Sequence, residues 1–136
     1  MIKTIVFTHG HLADGAASAV KVIAGSIPEL KTLSLTLEDN PDDKQAELNA
    51  FIDAGNEDDQ FLILNDIFGG TPSNLSLMAA AFRPQKKIHV LAGVNLGMLL
   101  ELASSIEQFD DVDALAKKVL DAGQTSVVDS SQKVRK

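Results

Sequence analysis

Residues 61–74 have the sequence FLILNDIFGGTPSN, which contains the strongest local indications of the fold class. Its first four residues are all apolar, which is typical of a strand covered on both faces. Asn65 and Asp66 follow, then a glycine pair. Thr71 as cap and Pro72 at the first turn predict a helix that reaches about Phe82. A buried strand joined to a helix by a short loop is the building unit of a parallel α/β sheet.

The same alternation extends to both sides of this stretch. Apolar, β-branched runs predict strands, and apolar residues at helical spacing predict helices. We predict strands at residues 2–7, 33–37, 61–64 and 88–92, and helices at residues 13–24, 41–55, 71–82, 96–105 and 112–122, the last ending at Gly123. A short apolar piece at residues 126–128 is interpreted as a last strand. We expect one domain over residues 1–128 and a polar, frayed tail at residues 129–136.

This pattern predicts a single doubly wound, mainly parallel sheet with helices on both faces. The functional crevice of such a sheet lies at the carboxyl ends of the strands, where the strand order reverses. If the first and third strands are neighbours, His9 and Asp66 meet in that crevice.

Composition excludes several classes of function. The 136 residues contain no cysteine and carry a net charge of −7, which excludes thiolate chemistry and disfavours non-specific nucleic-acid binding. No apolar run approaches the ~20 residues of a membrane helix, and residues 1–10 do not resemble a signal peptide. Residues 38–59 hold nine acidic residues and one base. We interpret them as a solvated face; a docking surface for a basic partner is the alternative.

His9 and Asp66 are the candidate chemical residues. A histidine is a nucleophile or base near pH 7, and a carboxylate on one ring nitrogen frees the lone pair of the other. Gly69, Gly70 and Thr71 precede or open a helix and resemble an anion cradle. The alternative is a polar strand end, a loop-capping aspartate and an ordinary turn. No GxxxxGK[ST] loop is present, so we expect another protein, not ATP, to donate a phosphoryl group.

The other histidines are weaker candidates. His11 lies two residues after His9, so His9, His11 and Asp66 form a sparse ligand set for a metal-dependent hydrolase, an alternative that we do not favour. His89 falls inside a predicted strand and is interpreted as a structural or surface residue. We expect no metal and no cofactor.

Three segments, IVFTHG at 5–10, NDIFGGTPSN at 65–74 and AGVNL at 92–96, resemble the IIA domain of the mannose family of bacterial phosphoenolpyruvate-dependent sugar phosphotransferase systems. The resemblance implies that His9 accepts a phosphoryl group from HPr and passes it to a IIB component. It implies that Asp66 orients His9. The phosphate-binding residues that we expect are Thr8, Gly10, Gly69, Gly70 and Thr71.

The resemblance also implies a cytoplasmic homodimer that serves a IIC/IID membrane permease through IIB, with peripheral association with the permease complex as an alternative to a free cytoplasmic state. The last strand, residues 126–128, would cross to the neighbouring subunit, and IIB would be a separate polypeptide. This chain departs from the family pattern at Ile67, Phe68 and Gly97. We expect the first two to affect phosphoryl contacts or docking, and Gly97 to loosen the start of a helix.

Two further functions are alternatives on the sequence alone. The phosphotransfer subunit of a dihydroxyacetone kinase is similar around the histidine but delivers its phosphoryl group to a nucleotide in another subunit. A flavin-binding module on the same fold is disfavoured because the chain has no tryptophan or tyrosine. The transported sugar cannot be read from this chain: mannose, fructose, sorbose and an amino sugar are all open.

Overall fold

The computed structural model describes residues 1–135 and contains one four-stranded sheet. Its strands are β1 (Ile2–His9), β2 (Leu30–Leu35), β3 (Gln60–Asn65) and β4 (Ile88–Ala92). All neighbours pair in parallel, in the order β2-β1-β3-β4. The first and third strands are therefore adjacent, and the order reverses between them, which confirms the predicted doubly wound sheet.

Helices follow the strands on both faces of the sheet. They are α1 (Leu12–Ala24), α2 (Pro41–Asp53), α3 (Thr71–Ala81), α4 (Leu96–Ser105), α5 (Val112–Thr125) and α6 (Ser130–Val134), with a 3-10 turn at Ile106–Gln108. The bounds of β4 and α4 agree with the sequence prediction. Within residues 1–135, no helix has both the length and the apolar character needed to cross a membrane.

The sheet separates two apolar cores. Leu62 and Leu64 of β3 pack with α1, α4 and α5, whereas Phe61 and Ile63 pack with α2 and α3. All four side chains are fully buried. The unbroken apolar run of β3 is thus explained by a strand covered on both faces, as predicted.

Strand β2 lies at the edge of the sheet, as its alternating pattern predicted, but it ends at Leu35, not at Leu37. The reason is a local turn. The backbone N–H and hydroxyl of Thr36 both donate to the Asp39 carboxylate, which draws the chain away from the sheet. Leu37 is left fully exposed.

Helix α5 continues through Gly123 to Thr125, so the predicted end at Gly123 is wrong. A Cβ on Gly123 would lie 2.3 Å from Met98 Cγ, so the glycine gives α4 room to approach α5. Gly97 has a similar role, because a Cβ there would lie 2.5 Å from Ser126. The start of α4 is capped, because the Asn95 side chain accepts from the Met98 N–H at 3.0 Å, and the expected loosening by Gly97 stays a prediction.

Residues 126–128 do not form the predicted strand. The N–H of Ser126 bonds the carbonyls of Ala122 and Gly123 as the cap of α5, and the segment pairs with no strand among residues 1–135. The tail is not uniformly frayed, because Asp129 caps the short helix α6. Lys136 lies outside the described residues. Exchange of this segment between subunits stays a prediction.

Candidate functional site

A histidine and a carboxylate meet where the two central strands end. His9 is the last residue of β1, and Asp66 directly follows β3. Because parallel neighbours end at the same edge, their side chains converge: His9 Nδ1 lies 2.8 Å from Asp66 Oδ2. The same oxygen accepts the backbone N–H of His9 at 3.0 Å. The predicted meeting of His9 and Asp66 is confirmed.

Asp66 is held more firmly than His9. Its second oxygen accepts the N–H of Ile67 at 3.1 Å, and its side chain is 14% exposed against 48% for His9. Burial raises the pKa of Asp66, but the hydrogen bonds from the ring and backbone N–H of His9 lower it, and the net pKa is below its usual value. An ionised carboxylate can only accept, so Nδ1 carries the proton and the neutral ring has its lone pair on Nε2.

Helix α3 presents an uncapped N-terminus to this edge of the sheet. Thr71 was the predicted cap, but it is the first helical residue, and the cap position is held by Gly70, which has no side chain to accept a hydrogen bond. Among the helices of residues 1–135, each of the others has a side-chain acceptor at its start, from Thr8, Asn40, Asn95, Asp111 or Asp129. The first N–H groups of α3 therefore remain available to an anion.

The first turn of α3 lies against the imidazole of His9. A Cβ placed on Gly70 would be 2.7 Å from His9 Cε1 and 3.3 Å from Nε2. Gly69 has a φ of +87°, a left-handed conformation that favours glycine. The two glycines therefore allow the backbone to approach the free nitrogen of His9 closely.

The other predicted phosphate-binding residues have different positions. Thr8 is fully buried, and its hydroxyl accepts the N–H of Ala13 at 2.9 Å, so it anchors α1 beneath the site and does not reach the surface. Gly10, with a φ of +53°, turns the chain from β1 into α1. The backbone of Gly69, Gly70 and Thr71 remains as the candidate cradle.

The remaining histidines do not join the site. The nearest carboxylate oxygen to His11 Nδ1 belongs to Asp14, at 3.6 Å. His89 Nδ1 lies 2.9 Å from Asp113, and His89 pairs in register with Leu62, well before the carboxyl end of the sheet. Over residues 1–135, no three His, Cys, Asp or Glu side chains are grouped so that they could hold a metal ion.

Sequence reasoning named Ile67 and Phe68 but missed Leu12 and Leu37, two further exposed apolar residues in the segments that follow the strands at this edge of the sheet. We define the apolar rim as Leu12, Leu37, Ile67 and Phe68, whose exposed fractions are 52%, 105%, 59% and 78%. Leu37 also borders a shallow cavity of about 500 Å³ beside His9 and Gly10. Large apolar residues in loops next to a glycine turn were the signal available in the sequence. Several such residues around one polar group are typical of a protein-docking surface.

Comparison with known proteins identifies the family. Residues 3–120 match the family model EIIA-man, described as "PTS system fructose IIA component". The chain is therefore a component of a bacterial sugar phosphotransferase system. It belongs to the mannose-type IIA family, as its motifs indicated, and membership implies a phosphocarrier role and interaction with other components of the system.

Individual relatives agree with this assignment. The chain is 31% identical over 102 residues to the sorbose-specific EIIA component of Lacticaseibacillus casei, covering 75% of this chain and 72% of that protein. The crystal structure of phosphotransferase system component EIIA from Streptococcus agalactiae superposes with a TM-score of 0.90 at 33% identity, covering 97% and 99% of the two chains. The mannose/sorbose specific IIA subunit from Enterococcus faecalis gives 0.82 at 36% identity, covering 93% and 92%.

Proposed function

We propose that His9 of this protein accepts a phosphoryl group from phospho-HPr and passes it to a IIB component, which phosphorylates the sugar entering through the membrane permease. One observation carries this proposal. Asp66 holds Nδ1 of His9, while Nε2 faces Gly70 and the uncapped N-terminus of α3. A nucleophile, its orienting group and an anion site thus lie within one contact distance of each other.

The transfer step follows from this geometry. The lone pair on Nε2 of His9 attacks phosphorus, a nitrogen–phosphorus bond forms, and the bond from phosphorus to the donor breaks with its electron pair returning to the donor. The ring then carries a positive charge and keeps its proton on Nδ1. The ionised Asp66 carboxylate, 2.8 Å away, stabilises that charge. Transfer to IIB reverses these roles, with Nε2 as leaving group.

The N-terminus of helix α3 is the binding site that we assign to the phosphoryl oxygens. A helix N-terminus carries a partial positive charge and free N–H groups, which together bind phosphate. The cradle that we assign is the backbone of Gly69, Gly70 and Thr71. This cradle binds the phosphoryl oxygens both in phosphorylated His9 and in the transition state, because these oxygens stay on the same side of the imidazole ring throughout the transfer.

The surroundings of His9 favour a protein as donor and acceptor. Almost half of the His9 side chain is exposed, and the residues of the apolar rim lie in the segments that follow β1, β2 and β3 at this edge of the sheet. A phosphohistidine on the convex surface of a partner can reach such a site. The family match and the sorbose-specific relative favour a sugar IIB as acceptor over the nucleotide-bound subunit of a dihydroxyacetone kinase.

Intact mass spectrometry tests the proposal directly. The wild-type protein is incubated with phosphoenolpyruvate, enzyme I and HPr, and in parallel without HPr. We expect an adduct of one phosphoryl group that requires HPr and is lost in acid, as expected for phosphohistidine. Absence of an adduct in the complete mixture would contradict the proposal. Adding the IIB component, or instead a dihydroxyacetone-kinase subunit with ADP, shows which acceptor discharges the adduct.

Asp66→Asn is expected to slow phosphoryl acceptance by about 10- to 100-fold, the cost typical of removing the hydrogen-bond partner of a metal-binding imidazole, which has the same orienting role. The amide carries no charge to balance the phosphorylated ring and does not dictate which nitrogen holds the proton. The measurement is the single-turnover rate from phospho-HPr. Asp113→Asn is the matched control, because Asp113 makes the same contact with His89. Equal rates for Asp66→Asn and wild type would rule out this role.

Leu37→Ser is expected to raise the concentration of phospho-HPr that gives half the maximal rate by about 5-fold, the effect of losing roughly 1 kcal/mol at an interface. The maximal rate should not change, because Leu37 lies in the apolar rim and not against the ring. Val22→Ser is the control, since Val22 is also an exposed apolar residue but lies near the far end of α1. An unchanged half-saturation concentration in Leu37→Ser would show that the rim does not contact HPr.

A further inference from the structure

We propose that Asn65 is a positioning residue for phosphoryl transfer, whose buried amide holds the first turn of α3 at the correct distance from His9. Asn65 is the last residue of β3 and precedes Asp66. Within residues 1–135 its side chain makes no hydrogen bond to His9 or to the cradle, so it acts through the backbone. This inference rests on the proposed function of His9.

A continuous chain of hydrogen bonds joins the two sides of the site beneath its surface. Asn65 Nδ2 donates to the carbonyl of Phe7 in β1 and to Ser76 Oγ in α3, each at 3.0 Å. Ser76 Oγ in turn donates to the carbonyl of Pro72 in the first turn of α3, at 2.7 Å. The Phe7 carbonyl can only accept, so it determines which end of the amide faces it. Asn65 therefore links β1 to the start of α3.

The positions of the linked residues give this chain its effect on the site. Phe7 lies two residues before His9, and Pro72 lies two residues after Gly70. The hydrogen-bond chain from Phe7 to Pro72 thus sets the separation between His9 and Gly70. His9 and Gly70 are already as close as they can be, because a Cβ on Gly70 would be 2.7 Å from the His9 ring. A displacement of about 1 Å at a reacting group costs about 100-fold in rate.

The identity of residue 65 is not explained by stability alone. Asn65 is fully buried and follows four apolar residues of the same strand. Its Oδ1 has no hydrogen-bond partner in the part of the chain that the structure describes. Burying the unpaired Oδ1 lowers the free energy of unfolding, and a leucine at this position would avoid that loss. Natural sequences accept such costs at functional sites, and here the two bonds from Nδ2 supply the compensating gain.

The test compares Asn65→Leu with wild type in single-turnover phosphorylation by phospho-HPr. Leucine has a similar volume and no hydrogen-bonding group. We expect the maximal rate to fall by about 10-fold or more and the half-saturating concentration of phospho-HPr to stay the same, because the apolar rim is untouched. Ser76→Ala is expected to show a smaller loss. The double variant should be no slower than Asn65→Leu, because both substitutions break one chain of bonds.

Controls separate positioning from a general loss of stability. Ile63→Val removes one buried methyl group from the same strand without touching the hydrogen-bond chain, and we expect it to transfer at the wild-type rate. A folded Asn65→Leu with the wild-type maximal rate would overturn the proposal, and so would an equal slowing in Ile63→Val. If Asn65→Leu does not fold, Ser76→Ala decides, and a wild-type rate there overturns it. Failure of wild-type protein to be phosphorylated contradicts the proposed function of His9 instead.

Discussion

His9→Ala is expected to accept no phosphoryl group from phospho-HPr while it keeps the wild-type melting temperature. Alanine removes the only ring nitrogen that faces Gly70 and the start of α3. The fold should survive, because the His9 side chain is half exposed and belongs to neither apolar core. The backbone N–H of residue 9 still reaches Asp66. Intact mass after incubation with the complete phosphorylation mixture measures the outcome.

A second histidine–aspartate pair in the same chain provides the control. His89 Nδ1 lies 2.9 Å from Asp113, nearly the spacing of His9 and Asp66. It pairs with Leu62 in the sheet, and none of the glycines within residues 1–135 has its Cβ position against the His89 ring. His89→Ala should therefore be phosphorylated like wild type. If the adduct persists in His9→Ala and is lost in His89→Ala, then His89 is the phosphorylated residue and the proposed role of His9 is wrong.

Gly70→Ala is expected to reduce the rate of phosphoryl transfer by about 100-fold or more, the cost of displacing a reacting group by about 1 Å. The new methyl group would lie 2.7 Å from His9 Cε1, so either the ring or the first turn of α3 must move. Backbone strain is not involved, because Gly70 has a φ of −76°, which alanine adopts readily. The loss should appear in the maximal single-turnover rate.

Gly15→Ala is the matched control for this substitution. Gly15 lies inside α1, and a Cβ there meets no atom within 4 Å. Alanine should stabilise α1 by about 0.5–1 kcal/mol and leave transfer unchanged. Gly70→Ala with the wild-type rate would show that the backbone does not need to lie against His9. A large fall in its melting temperature would indicate a packing defect, so thermal unfolding is measured beside the rate.

Much of this fold could be predicted because its signals are local. The apolar run at residues 61–64 indicated a strand covered on both faces, and both cores now contain its side chains. Asn40 and Pro41 indicated the start of α2, which the structure confirms. The site followed from one topological rule. Parallel neighbours end at the same edge, so a histidine after one strand and an aspartate after the other were expected to meet.

The predictions that were wrong depend on contacts between residues far apart in the sequence. Gly123 looked like the end of α5, but it is the place where Met98 of α4 packs closely. Residues 126–128 pair with no strand within residues 1–135, because a strand forms only beside another strand with free backbone groups, and their exchange into a neighbouring subunit stays a prediction. Local patterns do not contain this information.

The family, the order of the elements and the two residues of the proposed chemistry could all be predicted from the amino-acid sequence, because periodicity, turn residues and strand-end motifs involve neighbouring positions. The distances between these groups could not be predicted in this way and are seen only in the folded chain. The 2.8 Å contact of His9 with Asp66, the glycine turn against the ring and the link from Phe7 through Asn65 to α3 join segments about 60 residues apart. Such distances are set by the packing of helices on a twisted sheet, to which many distant side chains contribute.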